Sequence, residues 1–205
     1  MHVSEPAEYA MLGLLEGQPM HGYEMFQQFE SGTLGEIVHL EMSQMYAFLK
    51  KLERLHYVES QLELQGTRPP RKIFHLTTTG RETFFQWLTQ PVEKPREVRI
   101  LFLIKLYFVR RYLPEQTRSL IDGQIVACQQ FLDHLEARQR AETLAAEASR
   151  TGRESRENSG SENEGSKDGQ SDSAFFDHVV LRGRIYQTRS LLDWLAELQR
   201  ELAVV

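Results

Sequence analysis

The sequence predicts a mainly α-helical protein that carries one small β-hairpin. Through most of the 205 residues, apolar side chains recur every three or four positions, which is the spacing of one helix face. In 58–76 polar and apolar side chains instead alternate with a period of two, which is the spacing of strands. Apolar residues make up 40% of the chain, enough for a packed core in one domain or two small ones.

Two short helices are expected at the start of the chain. The first, Pro6–Glu16, begins with a proline whose φ suits a first helical turn, and Ser4 or Glu5 can cap it. Its predicted buried stripe is Ala7, Met11, Leu14 and Leu15. A second helix is expected at about His21–Phe29. Its predicted apolar side is Tyr23, Phe26 and Phe29.

The next predicted helix, Met42–Leu55, has two different faces. Its apolar face is Met42, Met45, Leu49 and Leu52. The opposite face is short or polar near its start and basic towards its end, with Ser43, Gln44, Ala47, Lys50, Lys51 and Arg54. This distribution is typical of a DNA-recognition helix, because short polar side chains can reach base edges while cations meet phosphates.

A hairpin with a basic tip follows directly. Val58–Leu64 and Ile73–Leu76 alternate as strands do, and Gln65–Pro70 supplies turn residues between them. The basic residues near the tip are Arg68, Arg71 and Lys72. Such a tip fits a wing that contacts a phosphate backbone or a minor groove. An ordinary solvated hairpin beside a solvated helix face is the alternative, and the direct succession of helix, hairpin and basic tip favours the wing.

A fourth helix is expected from Thr77 or Thr78 to about Gln90, burying Phe84, Trp87 or Leu88. Helices and a hairpin in this order describe a winged helix-turn-helix, so residues 1–90 are predicted to bind DNA. The formal net charge of −5 does not exclude this function, since charge is unevenly distributed. Residues 1–41 hold seven Glu and no Lys or Arg, whereas residues 42–76 hold six Lys or Arg and three Glu.

Residues 91–205 are predicted to form a helical dimerisation and effector domain. After a short linker, 91–96, the helix Val98–Val109 is apolar almost all round, so the winged domain or a partner subunit should cover it. Two later helices, from Pro114 towards Arg150 and from Ala174 to Leu202, carry stripes with coiled-coil spacing. These stripes are Ile121, Ile125, Cys128, Leu132 and Leu135, and then Thr188, Leu191, Leu195, Leu198 and Leu202.

The two stripes predict antiparallel helices that pair within or between protomers, and plain amphipathic packing within one chain is the alternative. Between them, residues 151–173 contain no apolar side chain, four Gly and six Ser. Such a segment cannot bury a core, and we expect a disordered loop there.

Three stretches resemble one known family. The stretches EYAMLGLLEGQPMHGYEMFQQFE, SQMYAFLKKLERLHYVES and RPPRKIFHLTTTGRE are similar to the winged-helix domain of PadR-type transcriptional regulators, over about residues 8–86. Arg99–Leu135 and the last helix are similar to the helical dimerisation region of that family. The resemblance implies a homodimer that binds an inverted-repeat operator in double-stranded DNA, usually as a repressor. It also implies that a small aromatic or amphipathic effector often releases the DNA.

Carried over by position, the resemblance implies a set of DNA-contacting residues. Ser43, Gln44 and Tyr46 would lie at the groove with Ala47 on the same face, Lys50 and Lys51 near phosphate, and Arg68, Arg71 and Lys72 in the wing. Three positions depart from the family. Ser43 and His56 stand where Gly is common, and Phe74 stands where Tyr is common. His56 is a strained choice for the residue that ends a helix.

An effector cavity has two aromatic candidates, Trp87 and Phe102, for which a plain core position is the alternative. A ligand wedged beside Val98–Val109 would change the distance between two recognition helices and so weaken operator binding.

The sequence predicts no enzyme, metal site or cofactor, because it shows no metal-ligand spacing, phosphate loop or nucleophile motif. The single cysteine, Cys128, excludes an internal disulfide and fits a reducing compartment. Without an export signal or a membrane span, the expected location is the cytoplasm. The alternative function is a helical interaction module whose winged domain docks a protein, which the acidic residues 1–41 favour.

Overall fold

The structure is a computed structural model that describes residue 3 and residues 5–65, 68–154 and 168–202. These residues are mostly helical and include one three-stranded antiparallel sheet, which confirms the predicted fold class. The chain divides into two compact units, Met1–Leu120 and Ile121–Val205. No helix among the described residues is long and apolar enough to cross a membrane.

The first unit has the following elements in chain order. They are α1 (Pro6–Gly17), β1 (Met20–His21), α2 (Gly22–Ser31), α3 (Thr33–Ile37), α4 (Met42–Arg54), β2 (Val58–Gln65), β3 (Arg68–Leu76), α5 (Thr78–Thr89), α6 (Pro95–Tyr112) and a 3₁₀ turn (Pro114–Gln116). Helix α3 was not expected from the sequence. On α2 the prediction for Tyr23 is wrong, since its side chain is 57% exposed while Met25 and Phe29 are buried.

Helix α1 lies at the centre of the first unit and contacts α4, α5, α6 and β3. Glu5 caps it through a capping box with Glu8, and Pro6 occupies its first turn, as expected. The predicted stripe of Ala7, Met11, Leu14 and Leu15 is buried. Because Ala10 and Leu12 are buried as well, α1 is covered on most sides, which explains its apolar composition.

Helix α6 packs directly on α1. An added Cβ at Gly13 would lie 2.4 Å from Cζ of Phe108, so the absence of a side chain there lets the ring approach the backbone of α1. The Tyr112 hydroxyl donates a hydrogen bond to the Gly13 carbonyl at 2.8 Å. Helix α6 therefore belongs to the first compact unit, which ends at Leu120. The functional division at residue 90 stays a prediction. The winged domain supplies the cover expected for 98–109.

The sheet order is β1-β3-β2, with both pairs antiparallel. Phe74 on the central strand β3 lies opposite Met20 of β1 and Ser60 of β2. Phe74, Met20 and Val58 are buried, whereas Leu62, further along β2, is 66% exposed. The base of the hairpin is thus anchored in the core.

The second unit contains α7 (Thr117–Glu154) from Ile121 onward and all of α8 (Asp168–Leu202). The two helices are antiparallel, because Arg189 lies 2.7 Å from Glu136 while Gln199 bonds to Asp122. Their shared apolar cluster is Leu132, Leu135, Leu181 and Ile185, with Phe131 and Leu192 against it. The predicted antiparallel pairing therefore occurs within one chain.

The predicted limits of the disordered loop, 151–173, are wrong at both ends. Helix α7 continues to Glu154 and α8 begins at Asp168, so polar composition did not stop either helix at the expected residue. Residues 155–167 lie outside the described residues.

Candidate nucleic-acid interface

Helix α4 presents the polar face expected of a recognition helix. Met45, Leu49 and Leu52 are buried and fix the rotation of the helix about its axis. Ser43, Gln44, Tyr46, Ala47 and Lys50 are exposed on the other side, as the spacing predicts. Gln44 also closes a capping box, since its Oε1 accepts a hydrogen bond from the Glu41 backbone N–H at 3.1 Å. This bond holds the Gln44 side chain at the start of α4.

Lys51 is turned from that face towards an ion pair, and its expected phosphate contact stays a prediction. Its Nζ lies 2.6 Å from Oε1 of Glu8 on α1, and its side chain is only 23% exposed. Glu8 is fully buried, so its carboxylate requires a cation beside it. The long lysine side chain reaches across to α1 and neutralises that charge. Among the predicted contacts of α4, Lys50 is the lysine that is exposed.

The end of α4 carries the strain that the sequence predicts. His56 has a φ of 59°, in the left-handed region. Its N–H donates to Glu53, and the Tyr57 N–H donates to Leu52, which is the hydrogen-bond pattern that ends many helices at a glycine. The Thr77 hydroxyl lies 2.7 Å from the His56 carbonyl and accepts from the Gly80 N–H at 3.0 Å. Thr77 thereby joins the end of α4 to the start of α5.

The wing supplies two exposed cations, Arg71 and Lys72 on β3. Lys72 Nζ lies 3.8 Å from Glu53 Oε2, a weak surface pair that leaves the ammonium at the surface. The Arg68 backbone is paired with Gln65, but its side chain and residues 66–67 lie outside the described residues. The predicted contact of Arg68 therefore stays a prediction.

His21 holds the hairpin in place, a role that the sequence analysis missed. Its Nδ1 lies 3.0 Å from the Lys72 carbonyl oxygen, to which the protonated nitrogen donates. Its Nε2 lies 3.4 Å from Oε2 of Glu63 on the neighbouring strand. Only the tertiary pairing of β1 with β3 brings His21 to the wing, so spacing along the chain offered no signal.

A groove of about 890 Å³ separates α2, α4 and the wing. Its lining includes Tyr23, Tyr46, Lys50, Arg71 and Lys72, with Glu24 and Glu53 as the acidic members. An added Cβ at Gly22 would lie 2.8 Å from Cε1 of Tyr46, so the glycine leaves room for the tyrosine ring. The groove thus combines aromatic and amide groups that can contact bases with cations that can contact phosphates.

The two effector candidates occupy different environments. Phe102 is fully buried and does not line a described pocket. Trp87 is half-buried and lines a second pocket beside α1, α5 and α6. The Tyr9 ring stacks on it, with centroids 4.0 Å apart and an interplanar angle of 8°. Trp87 lies at a pocket and Phe102 lies in the core, and both stay predictions as effector contacts.

Comparisons with known proteins identify the family. Residues 11–86 match the Transcriptional regulator PadR-like family, and residues 98–203 match the family described as Virulence activator alpha C-term. The chain is 30% identical to the Negative transcriptional regulator PadR of Bacillus subtilis over 129 residues, which cover 63% of this chain and 70% of that protein. The chain belongs to the PadR-like family of transcriptional regulators.

Two further comparisons extend over nearly the whole length of this PadR-family chain. A probable transcriptional regulator of Mycobacterium tuberculosis is 26% identical over 194 residues, covering 95% of this chain and 96% of that protein. The crystal structure of Bacillus subtilis PadR in complex with operator DNA is 24% identical and has a TM-score of 0.43. That comparison covers 96% of this chain and 99% of the other.

Proposed function

We propose that this PadR-family regulator is a homodimeric repressor that binds an inverted-repeat DNA operator through α4 and the wing. The groove between α2, α4 and the wing carries the proposal. Lys50, Arg71 and Lys72 line one concave surface together with Tyr46. Phosphate contacts from such cations supply most of the affinity, while Ser43, Gln44 and Tyr46 are available for base edges.

The 30% identical relative is a negative transcriptional regulator, and this supports repression as the direction of regulation. The family resemblance also implies that a small aromatic or amphipathic effector releases the protein from its DNA. A regulator of this kind binds and releases DNA without a chemical step, and it acts in the cytoplasm where it meets the DNA.

Dimerisation through the C-terminal helices has support on α8. Large apolar side chains there are exposed in the single chain, namely Phe175, Phe176, Val179, Val180 and Tyr186. A contiguous apolar surface of this kind is typical of a protein interface. A second copy that covers it would present two α4 helices to successive major grooves, about 34 Å apart on B-DNA.

The direct test is binding of the full chain to DNA fragments from upstream of its own gene, measured by gel shift at several salt concentrations. If about six phosphates are contacted per dimer, log K should fall against log salt with a slope near −5. Lys50→Ala and Arg71→Ala should weaken binding to all sequences, whereas Gln44→Ala should change the sequence preference. Arg140→Ala, an exposed cation on α7, is the matched control and should bind normally.

Binding that does not respond to salt, or that survives loss of Lys50 and Arg71, would reject the DNA-binding surface. Retention of a protein partner by the wing without any DNA binding would favour the interaction-module alternative. A monomer by analytical ultracentrifugation at the concentrations used for DNA binding would reject the dimeric operator.

A further inference from the structure

The outer part of the hairpin is held to the helices by polar contacts and not by apolar packing. Its buried side chains, Val58 and Phe74, lie near the base of the sheet. The side chains described nearer the tip, those of residues 61–63 and 71–72, are exposed. Strand pairing holds β2 and β3 to each other, so the position of the wing relative to α2 and α4 depends on polar contacts made there.

His21 makes two of these contacts with one ring. Its Nδ1 lies 3.0 Å from the Lys72 carbonyl oxygen on β3, and its Nε2 lies 3.4 Å from Oε2 of Glu63 on β2. His21 is also the N-cap residue of α2, and its side chain is 23% exposed. The imidazole thus ties both strands of the wing to the start of α2.

The two contacts together require a protonated ring. A neutral imidazole has one N–H and one lone pair, so a ring that donates from Nδ1 to the Lys72 carbonyl turns the lone pair of Nε2 towards the Glu63 carboxylate. An imidazolium donates from both nitrogens, and its hydrogen bond to a carboxylate is charge-assisted. The contact between His21 and Glu63 is therefore made by the protonated ring and lost by the neutral ring.

Glu63 is the carboxylate that contacts this ring. The other charged groups that line the groove with His21 are Glu24 of α2, Lys50 and Glu53 of α4, and Arg71 and Lys72 of β3. Glu53 is engaged elsewhere, since it accepts a hydrogen bond from the Ser60 hydroxyl at 2.5 Å and lies 3.8 Å from the Lys72 ammonium.

Arg71 shares a face of the sheet with His21 and Glu63. Glu63 lies directly opposite Arg71, and His21 lies directly opposite Ile73, two residues further along β3. Since side chains alternate between the faces of a sheet, those of His21, Arg71 and Glu63 project from the same face. Directly opposite residues have Cβ atoms about 5 Å apart, which allows an ion pair between Glu63 and Arg71. In the structure the Glu63 carboxylate contacts His21 instead.

We propose that His21 is a positioning residue of the wing, whose protonated ring fixes the hairpin and keeps the Glu63 carboxylate away from the Arg71 guanidinium. The proposal rests on the proposed function and deepens it, because it makes the wing contact depend on a proton. When the ring is neutral, Glu63 pairs with Arg71, and this pair competes with a DNA phosphate for the same guanidinium. Protonation of His21 therefore strengthens DNA binding.

The first test measures the affinity of the full chain for the DNA fragment from upstream of its own gene at pH 6 and at pH 8, at one salt concentration. The unmodified chain should bind about fivefold more tightly at pH 6, as expected for one charge-assisted contact. His21→Gln should remove most of this difference. His75→Gln is the matched control and should keep it, because His75 lies on the same sheet face, opposite Glu59.

Charge-matched variants on β2 test the role of Glu63. Glu63→Gln removes the carboxylate that competes for Arg71, so its affinity at pH 8 should rise to that of the unmodified chain at pH 6. Glu59→Gln removes an exposed carboxylate from the same strand and should keep the pH difference. In an Arg71→Ala background, Glu63→Gln should change the affinity no more than Glu59→Gln does, because the contested guanidinium is gone.

Equal affinity of the unmodified chain at pH 6 and pH 8 would overturn the proposal, and so would a pH difference that survives in His21→Gln. A Glu63→Gln effect that persists in full without Arg71 would also overturn it. If His21→Gln does not fold, the Glu63→Gln comparison decides, because it leaves the ring in place.

A measurement without DNA separates this proposal from the proposed function. Nitrogen-15 NMR of the histidine rings reports the fraction of His21 that carries a proton on both nitrogens. At pH 7 this fraction should be smaller in Glu63→Gln than in the unmodified chain, and it should be unchanged in Glu59→Gln. That result in a chain that binds no DNA would support the contact of His21 with Glu63 and reject the proposed function. DNA binding without that result would overturn the role of His21 and leave the proposed function standing.

Discussion

The carboxylate of Glu8 and the ammonium of Lys51 lie 2.6 Å apart and join the central helix α1 to the recognition helix α4. Glu8 is fully buried, and its other oxygen lies 3.3 Å from the Glu5 backbone N–H at the start of α1. The Glu8 side chain therefore accepts a hydrogen bond from the N-cap of α1 and also forms an ion pair with Lys51 of α4. The ion pair helps to set the position of α4, and α4 lines the groove that we propose as the DNA-binding surface.

Replacing Lys51 should therefore cost stability, and replacing Lys50 should not. Lys51→Ala leaves the Glu8 carboxylate buried without its cation, and we expect a loss of about 2 to 4 kcal/mol in the free energy of unfolding. Lys50→Ala removes an exposed cation next along the helix, so its unfolding free energy should change by less than about 0.5 kcal/mol. Urea denaturation measures both values.

The double variant Glu8→Leu, Lys51→Met removes both charges and should recover most of the stability that Lys51→Ala loses. Equal stability of Lys50→Ala and Lys51→Ala would show that the ion pair contributes nothing in solution.

Gly22→Ala should weaken operator binding with little loss of stability. The new Cβ would lie 2.8 Å from Cε1 of Tyr46, and the half-exposed ring can turn away into the groove. We expect at least a roughly fivefold loss of affinity, equivalent to about 1 kcal/mol. Gly123→Ala is the control, because nothing lies within 4 Å of its added Cβ. Normal DNA binding by Gly22→Ala would show that the position of Tyr46 is unimportant.

Lys105 should make stability rise with pH above neutrality. Burial lowers its pKa from 10.5 to about 7, so below pH 7 both the folded and the unfolded chain hold the proton. Between these two values the unfolded chain binds more protons than the folded chain, and the unfolding free energy increases with pH. Its contribution is at most about 1.4 kcal/mol per pH unit.

Chemical denaturation at pH 7, 8 and 9 measures this slope. Lys105→Met should reduce it, and Lys94→Met, which removes an exposed lysine, should keep it. The same slope in Lys105→Met and in the unmodified chain would show that Lys105 has an ordinary pKa.

His56→Gly should stabilise the protein. The φ of 59° is costly for a side chain with a Cβ, and glycine adopts it freely, so we expect a gain of about 0.5 to 1 kcal/mol in the free energy of unfolding. His56→Ala keeps the Cβ and should give no gain. A thermal melt of the three proteins compares them, and a lower melting temperature for His56→Gly would mean that the imidazole itself makes a stabilising contact.

Periodicity predicted the elements that build the interface. The spacing of Met45, Leu49 and Leu52 fixed the buried side of α4, and therefore the exposed positions of Ser43, Gln44 and Lys50. The family resemblance added the prediction that Ser43, Gln44 and Tyr46 lie at the DNA groove. Helical spacing could not identify the ion-pair partner of Lys51, because the pair depends on Glu8 of another helix lying within reach of a flexible side chain.

The other features that the sequence did not predict also depend on contacts between distant residues or on very short elements. The extent of the first unit depends on Phe108 fitting against Gly13, a contact between residues far apart in the chain. Helix α3 is only five residues long, too short for a periodic pattern. The sequence analysis did not single out Lys105, because only packing shows that its ammonium meets the carbonyls of Trp87 and Gln90 at the end of α5.

Tyr9 stacks on Trp87 at the second pocket. The preceding residue, Glu8, forms an ion pair with Lys51 on α4. Adjacent residues of one rigid helix thus face two different sites. A compound that displaced the phenol ring of Tyr9 would therefore disturb the turn of α1 that also holds Lys51 of α4.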